Sequence, residues 1–147
     1  MKTSNKLLLL ASLIFVGSLF SCTKKTSVKS NTELLTQRPW KFVTQGLDEN
    51  NNGIIEESEA DMLSCQADDQ FSFNVNYTGA YAIGTMACSP DDQNMNFTWS
   101  FSNNETELTI FDFPEKIKEL DESTLEVYFE QENSAGQTVK FIRKFGH

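Results

Sequence analysis

Eight short runs of alternating apolar and polar residues constrain this chain more than any other feature. They cover 40–47, 70–76, 80–87, 96–102, 107–111, 115–120, 124–131 and 138–145. Phe71, Phe73 and Val75 share one face of the second run; Phe97, Trp99 and Phe101 share one face of the fourth. Period-two alternation marks strands with one face in a core. Hairpin-length turns separate most of the runs, among them Thr78-Gly79, Asn103-Asn104, Asp121-Glu122-Ser123 and Asn133 to Gly136. Such a succession predicts an antiparallel meander. Closing it into a barrel buries the apolar face and satisfies the lateral backbone groups. The expected fold is all-β: an antiparallel up-and-down eight-stranded β-barrel. Eight strands enclose a space that side chains fill or that holds one small ligand. A short helix is expected between strands 1 and 2, over Glu56 to Cys65. One helical turn is expected over Thr32 to Gln37, capped by Asn31 or Thr32 and stopped by Pro39.

The first 21 residues read as an export leader. Lys2 and Lys6 precede an apolar run from Leu7 to Phe20, the length of a signal-peptide core and short for a membrane span. It ends in Leu19-Phe20-Ser21-Cys22, which resembles a bacterial lipobox, although Phe20 is bulkier than the usual residue there. Cys22 is then the lipidated residue, and the chain meets the membrane through that lipid anchor. Residues 22–31 are polar and lysine-bearing and read as the anchored Cys with a flexible tether. Residues 32–147 form the single barrel domain.

Charge narrows the partners. Of 12 Lys and Arg, two lie in the leader, which has no acid, so the mature chain carries ten basic and 21 acidic residues, a formal charge of −11. No Lys or Arg occurs between Lys41 and Lys116, where 14 acids fall. Such a surface repels phosphates and excludes nucleic acid as a partner. It attracts cations, and it also keeps a tethered protein soluble.

Cysteine arithmetic leaves Cys65 and Cys88 once Cys22 is assigned to lipid. In an oxidising compartment they are expected to form a disulfide. A hairpin turning near Asn76 to Thr78 brings residues whose numbers sum to about 154 face to face, and 65 and 88 nearly satisfy that. Their spacing fits no zinc site, and the single His, His147, is the C-terminal residue and is expected to be mobile. Neither a zinc or copper site nor a Ser-His-Asp arrangement finds support. Asp68-Asp69 and Asp91-Asp92 are paired acids, but strand neighbours point to opposite faces, so surface turns explain them better than acid–base chemistry. No catalytic residue is assigned, and the chain is not expected to be an enzyme.

The strongest local motif runs from Asp48 to Glu59. Asp-Glu-Asn-Asn-Asn-Gly-Ile-Ile-Glu-Glu-Ser-Glu matches the twelve-residue calcium loop. Asp48, Asn50 and Asn52 would offer side-chain oxygens, Ile54 its carbonyl, Glu56 a water-mediated contact and Glu59 both oxygens. Gly53 permits the sharp bend. Calcium is the candidate cofactor, as a stiffener near the barrel mouth; an Asn-Gly turn with solvated acids reads the same residues without it.

Several stretches together resemble the lipocalin-like lipoproteins of Bacteroidetes-type envelopes. They are Leu34-Leu35, Trp40-Lys41-Phe42, Asp48 to Gly53, Cys65 with Asp68-Asp69 and Phe71-Phe73, Gly79-Ala80-Tyr81, Cys88, Trp99-Ser100-Phe101, Leu108-Thr109-Ile110 and Glu119-Leu120 through Leu125-Glu126-Val127. The match spans Leu34 to the end, and departs from the lipocalin Gly-x-Trp in carrying Arg38 where Gly is expected. The resemblance implies a lipocalin-like barrel and little about activity. It implies that Arg143, on the last strand, covers Trp40 by a cation–π contact. The expected function is a membrane-anchored envelope lipoprotein binding a small hydrophobic or amphipathic ligand. The alternative is a structural or protein-interaction module stiffened by calcium. The expected location is the outer membrane; Lys24 and Lys25 directly after Cys22, in place of acids, favour the periplasmic face.

Overall fold

The computed structural model describes residues 28–147. The leader, Cys22 and the lysines beside it lie outside those residues. Among the described residues no helix is long and apolar enough to cross a membrane.

The strands are β1 (Trp40–Asp48), β2 (Gln70–Phe73), β3 (Thr78–Ala82), β4 (Met95–Ser102), β5 (Glu107–Ile110), β6 (Phe113–Leu120), β7 (Leu125–Glu132) and β8 (Thr138–Gly146). Each pairs antiparallel with the next, and β1 pairs with β8, so the sheet is a closed up-and-down barrel. Alternation did this: Leu125, Val127 and Phe145 are each 1 % exposed or less, and their rows face the centre. Two irregularities interrupt the pattern. One lies between Phe42 and Thr44 and leaves Val43 half exposed; the other lies between Ile117 and Glu119.

One end of the barrel is a floor. Helix α1 (Asn31–Thr36) packs there against β2 and β6. Its cap is Ser30, one residue earlier than expected, and Ser30 and Glu33 form a reciprocal capping box. Leu35 is fully buried, and its carbonyl accepts from Trp40 Nε1 at 2.8 Å. Trp40 is not covered by Arg143. His147 lies against it, ring centroids 4.0 Å apart and planes tilted by 35°, and sits 2.7 Å from the Pro39 carbonyl, so the His is docked. The floor rings form one cluster through Trp40, Phe71, Phe73, Phe97, Trp99 and Phe145.

The other end is a mouth, framed by the connections 49–69, 83–94, 111–112 and 133–137. The helix expected over Glu56 to Cys65 contracts to a single 3-10 turn at Ser64–Gln66. Upstream of it the chain runs along β1, with a bridge from Ala60 to Gly46 and a hydrogen bond from Asp61 N to the Gln45 carbonyl at 2.8 Å. A side chain at Gly46 would sit 2.0 Å from the Glu59 carbonyl, so this close approach needs glycine. The bridge matters because β1 and β2 share only two residue pairs, Trp40 with Phe71 and Lys41 with Gln70.

The second hairpin turns earlier than expected. Its turn is Asn74 to Tyr77, and Thr78 and Gly79 belong to β3. The register sum is therefore 152, from Gln70 facing Ala82. Cys65 and Cys88 still meet as a disulfide, Cα to Cα 5.3 Å, joining the 49–69 loop to the 83–94 loop.

Candidate ligand cavity

Within the barrel, near the mouth, the aromatic packing opens. A cavity of about 370 Å³ is lined by Gln45, Ile110, Phe111, Phe113, Phe129, Phe141 and Arg143. The strands β1, β5, β6, β7 and β8 each supply part of the wall. Phe129 meets Phe113 edge-on at 4.9 Å and stacks on Phe141 at 5.3 Å. Phe111 is 43 % and Phe113 45 % exposed. Phe111 and Asp112 form the β5–β6 turn with φ of 52° and 62°. A left-handed conformation is costly for a bulky ring; here the turn holds the Phe111 ring 4.8 Å from Phe97. A wider groove of about 690 Å³ runs along Thr78, Ala80, Asn96 and Thr98, whose alternation puts them on the outer wall and not in the barrel.

A buried ion pair sits beside the cavity. Glu115 on β6 is fully buried and takes Arg143 on β8 bidentately, through Nε at 2.8 Å and through Nη2. Arg143 keeps 20 % of its side chain exposed. Its guanidinium carbon also lies 5.9 Å from the Phe145 ring. The fork geometry suits a carboxylate and places the charge next to an apolar wall. Neither Glu115 nor this pairing was expected from sequence. A period-two reading does not single out one acid in a strand with Lys116, Lys118 and Glu119 around it.

The Asp68-Asp69 doublet is not a solvated turn. Asp69 is 2 % exposed; it accepts from the Tyr81 hydroxyl and from Gly84 N at 2.8 Å. Burial, then the Asp69 carboxylate, pushes the Tyr81 phenol well above its ordinary range. Asp68 accepts from Thr85 N at 2.8 Å and Thr85 Oγ1 at 2.7 Å. The doublet thus clamps the chain leaving β3. Asp92 caps Ser89 N at 2.7 Å in the neighbouring loop.

The Asp48–Glu59 loop folds as one compact turn. Asp48 is fully buried; it accepts from Asn52 N at 3.0 Å and Gly53 N at 2.8 Å. Asn50 Oδ1 accepts from the same Asn52 N at 2.9 Å, and Asn52 Oδ1 from Ile54 N at 2.8 Å. Asn52 Nδ2 donates to Glu56 Oε1 at 3.1 Å. Glu59 accepts from Glu49 N at 3.0 Å and Glu56 N at 3.1 Å. Oxygens of Asp48, Asn50, Asn52 and Glu56 therefore cluster around Asn52, and each has lone pairs beyond those used. Glu59 is committed to capping. Among the described residues no three His, Cys, Asp or Glu side chains group as a metal site, so a cation here would draw on the amide oxygens of Asn50 and Asn52 together with the carboxylates of Asp48 and Glu56. Lys118 ties the loop down, donating to the Gly53 carbonyl at 2.6 Å and pairing with Glu126 at 2.5 Å.

No family model and no curated protein matches the chain. Solved structures of bovine odorant binding protein are similar in fold. One, with a selenium-containing odorant, is 13 % identical over 84 % of this chain and 76 % of its own, TM-score 0.44. Another, with its natural ligand, is 14 % identical over 82 % and 75 %, TM-score 0.44. A third, with undecanal, is 14 % identical over 84 % and 76 %, TM-score 0.44. The assignment of the fold rests on the chain's own strand order and register: eight antiparallel strands, up and down, closed by β1 on β8. In strand number, order and closure the domain is lipocalin-like.

Proposed function

We propose that this protein is an outer-membrane lipoprotein, anchored through Cys22, whose barrel binds a small apolar or amphipathic molecule and catalyses no reaction. One observation carries the reading: Phe111, Phe113, Phe129 and Phe141 line an open space inside the barrel, with Phe129 touching Phe113 and Phe141 along its wall and none of the rings filling it. Ligand sites are concave and mostly apolar, with a few placed polar groups, and begin near ~300 Å³. Arg143 and Gln45 are those groups here. The described chain enters the barrel at its floor, through α1, at the end opposite the mouth. The test is a Nile red fluorescence titration of the full chain, with native mass spectrometry of protein taken from envelope extract. Saturable Nile red binding, lost in Phe129→Arg, supports the reading. No binding and a clean apo mass overturn it.

The second reading is a calcium-stiffened interaction module, favoured by the clustering of loop oxygens around Asn52. It predicts a calcium-dependent mass shift lost in Asp48→Ala, with slower amide exchange over 49–59. An unchanged mass in calcium returns the loop to a plain turn.

A further inference from the structure

The Glu115–Arg143 pair says which amphiphiles the cavity accepts, provided the ligand-binding reading holds. Among the described residues that line the cavity, Arg143 is the only charged one. Its charge is already cancelled by Glu115, which is fully hidden behind it. Nε and Nη2 are spent on that carboxylate, and among the described residues Nη1 has no hydrogen-bond partner. Gln45 spends one of its two amide N–H groups on the Asp61 carbonyl at 3.0 Å. The donors left for a ligand are therefore one guanidinium edge and the second Gln45 N–H, neither with net charge to offer. The loops framing the mouth, 49–69, 83–94, 111–112 and 133–137, hold ten acids and no Lys or Arg.

We infer that the cavity selects uncharged amphiphiles bearing a hydrogen-bond acceptor, such as an ester or ketone, over carboxylates and amines of the same length. A carboxylate must share an already neutralised cation and leaves one net negative charge in an apolar site, which is costly. It must also pass an acidic mouth. An amine is drawn to that mouth but must leave one net positive charge in an apolar site whose carboxylate is already taken by Arg143. An ester carbonyl accepts from Nη1 and adds no charge.

The test is displacement of Nile red from the full chain by methyl laurate, laurate and dodecylamine, each below its micellar concentration. Methyl laurate should compete at roughly tenfold lower concentration than the other two, the scale of a polar contact kept against one lost. Glu115→Gln keeps a partner for Arg143 and frees its charge, so the laurate-to-ester affinity ratio should rise about tenfold. Replacing both residues by Met removes the guanidinium donor and should shrink the ester's advantage over dodecane several-fold; this variant also serves if Glu115→Gln fails to fold. Laurate equal to or better than the ester in the native protein overturns the inference. So does a ratio unmoved by Glu115→Gln, or bound Nile red that none of the amphiphiles displaces. Absence of Nile red binding overturns the cavity reading itself.

Discussion

The aromatic rings of the floor and those of the mouth are alike in chemistry and opposite in burial. Trp40, Phe145, Trp99, Phe71 and Phe73 are between 0 % and 5 % exposed, while Phe111 and Phe113 are more than 40 % exposed. Each floor ring is enclosed, and both indoles have partners: Trp40 on the Leu35 carbonyl, Trp99 on the carbonyls of Asn74 and Thr78 at 3.1 and 3.0 Å. Mouth rings pair with one another, and Phe111 also with Phe97, but they leave a side open. Fully burying such a side chain is worth about 1.5–3 kcal/mol. The floor gains that on folding. The mouth leaves part of it for whatever fills the cavity. The difference teaches that the same alternating pattern builds a stability element at one end and a binding surface at the other.

The largest blow to the floor is Trp99→Ala, which empties a closed site and removes one donor from two carbonyls that keep their backbone partners, Tyr77 N on Asn74 and Asn74 N on Thr78. It should cost about 3–5 kcal/mol in urea unfolding. An equal cost for Phe129→Ala would break the comparison.

Next comes the link between mouth loops. Cys65→Ser with Cys88→Ser should lower stability by about 3 kcal/mol, as expected for a closed loop of this length. Amide exchange should sharpen the contrast, rising most over 83–88 and least near Trp99.

Phe129→Ala at the mouth should cost below ~1 kcal/mol, since a partly exposed site relaxes more easily than a closed one. Yet it should weaken Nile red binding several-fold, a split between stability and binding that no floor variant should show.

The smallest effect is that of pH on the Asp68 clamp. The backbone N–H of Thr85, then its hydroxyl, holds the Asp68 carboxyl below the usual carboxylate range. The folded value lies below the unfolded one, so the clamp contributes above the unfolded value, near ~3.9, and is lost as pH falls through the folded value. The Thr85 amide resonance should follow that titration, and Asp68→Asn should abolish it.

Strands were legible because alternation is local and each inward row is apolar. Turns were less so. Thr78-Gly79 carries turn chemistry, yet Gly79 lies in β3 because the Phe97 ring occupies the space a Cβ would fill, 2.2 Å away. That is a tertiary fact, invisible along the chain. The segment 56–65 has helical spacing, but Ala60 finds a backbone partner on β1 instead. In the cavity, Phe129 and Phe141 stand in readable inward rows; their exposure depends on what faces them. Glu115 and Arg143 are 28 residues apart, and no local period joins them. Arg143 was placed on Trp40 by resemblance; a buried carboxylate of opposite charge outcompetes an indole already covered by His147.

Closure of β1 on β8 has a consequence for how the molecule comes into being. The seam pairs Lys41 with Gly146 and Asp48 with Lys140, so its partners lie about a hundred residues apart. A chain made from its N-terminus first cannot complete this seam until β8 is delivered, and such distant pairings form late and slowly. Until then β1 and the apolar faces of six finished strands wait without their last neighbour. Delivery of β8 therefore sets the moment at which the barrel can close and its apolar rows leave water.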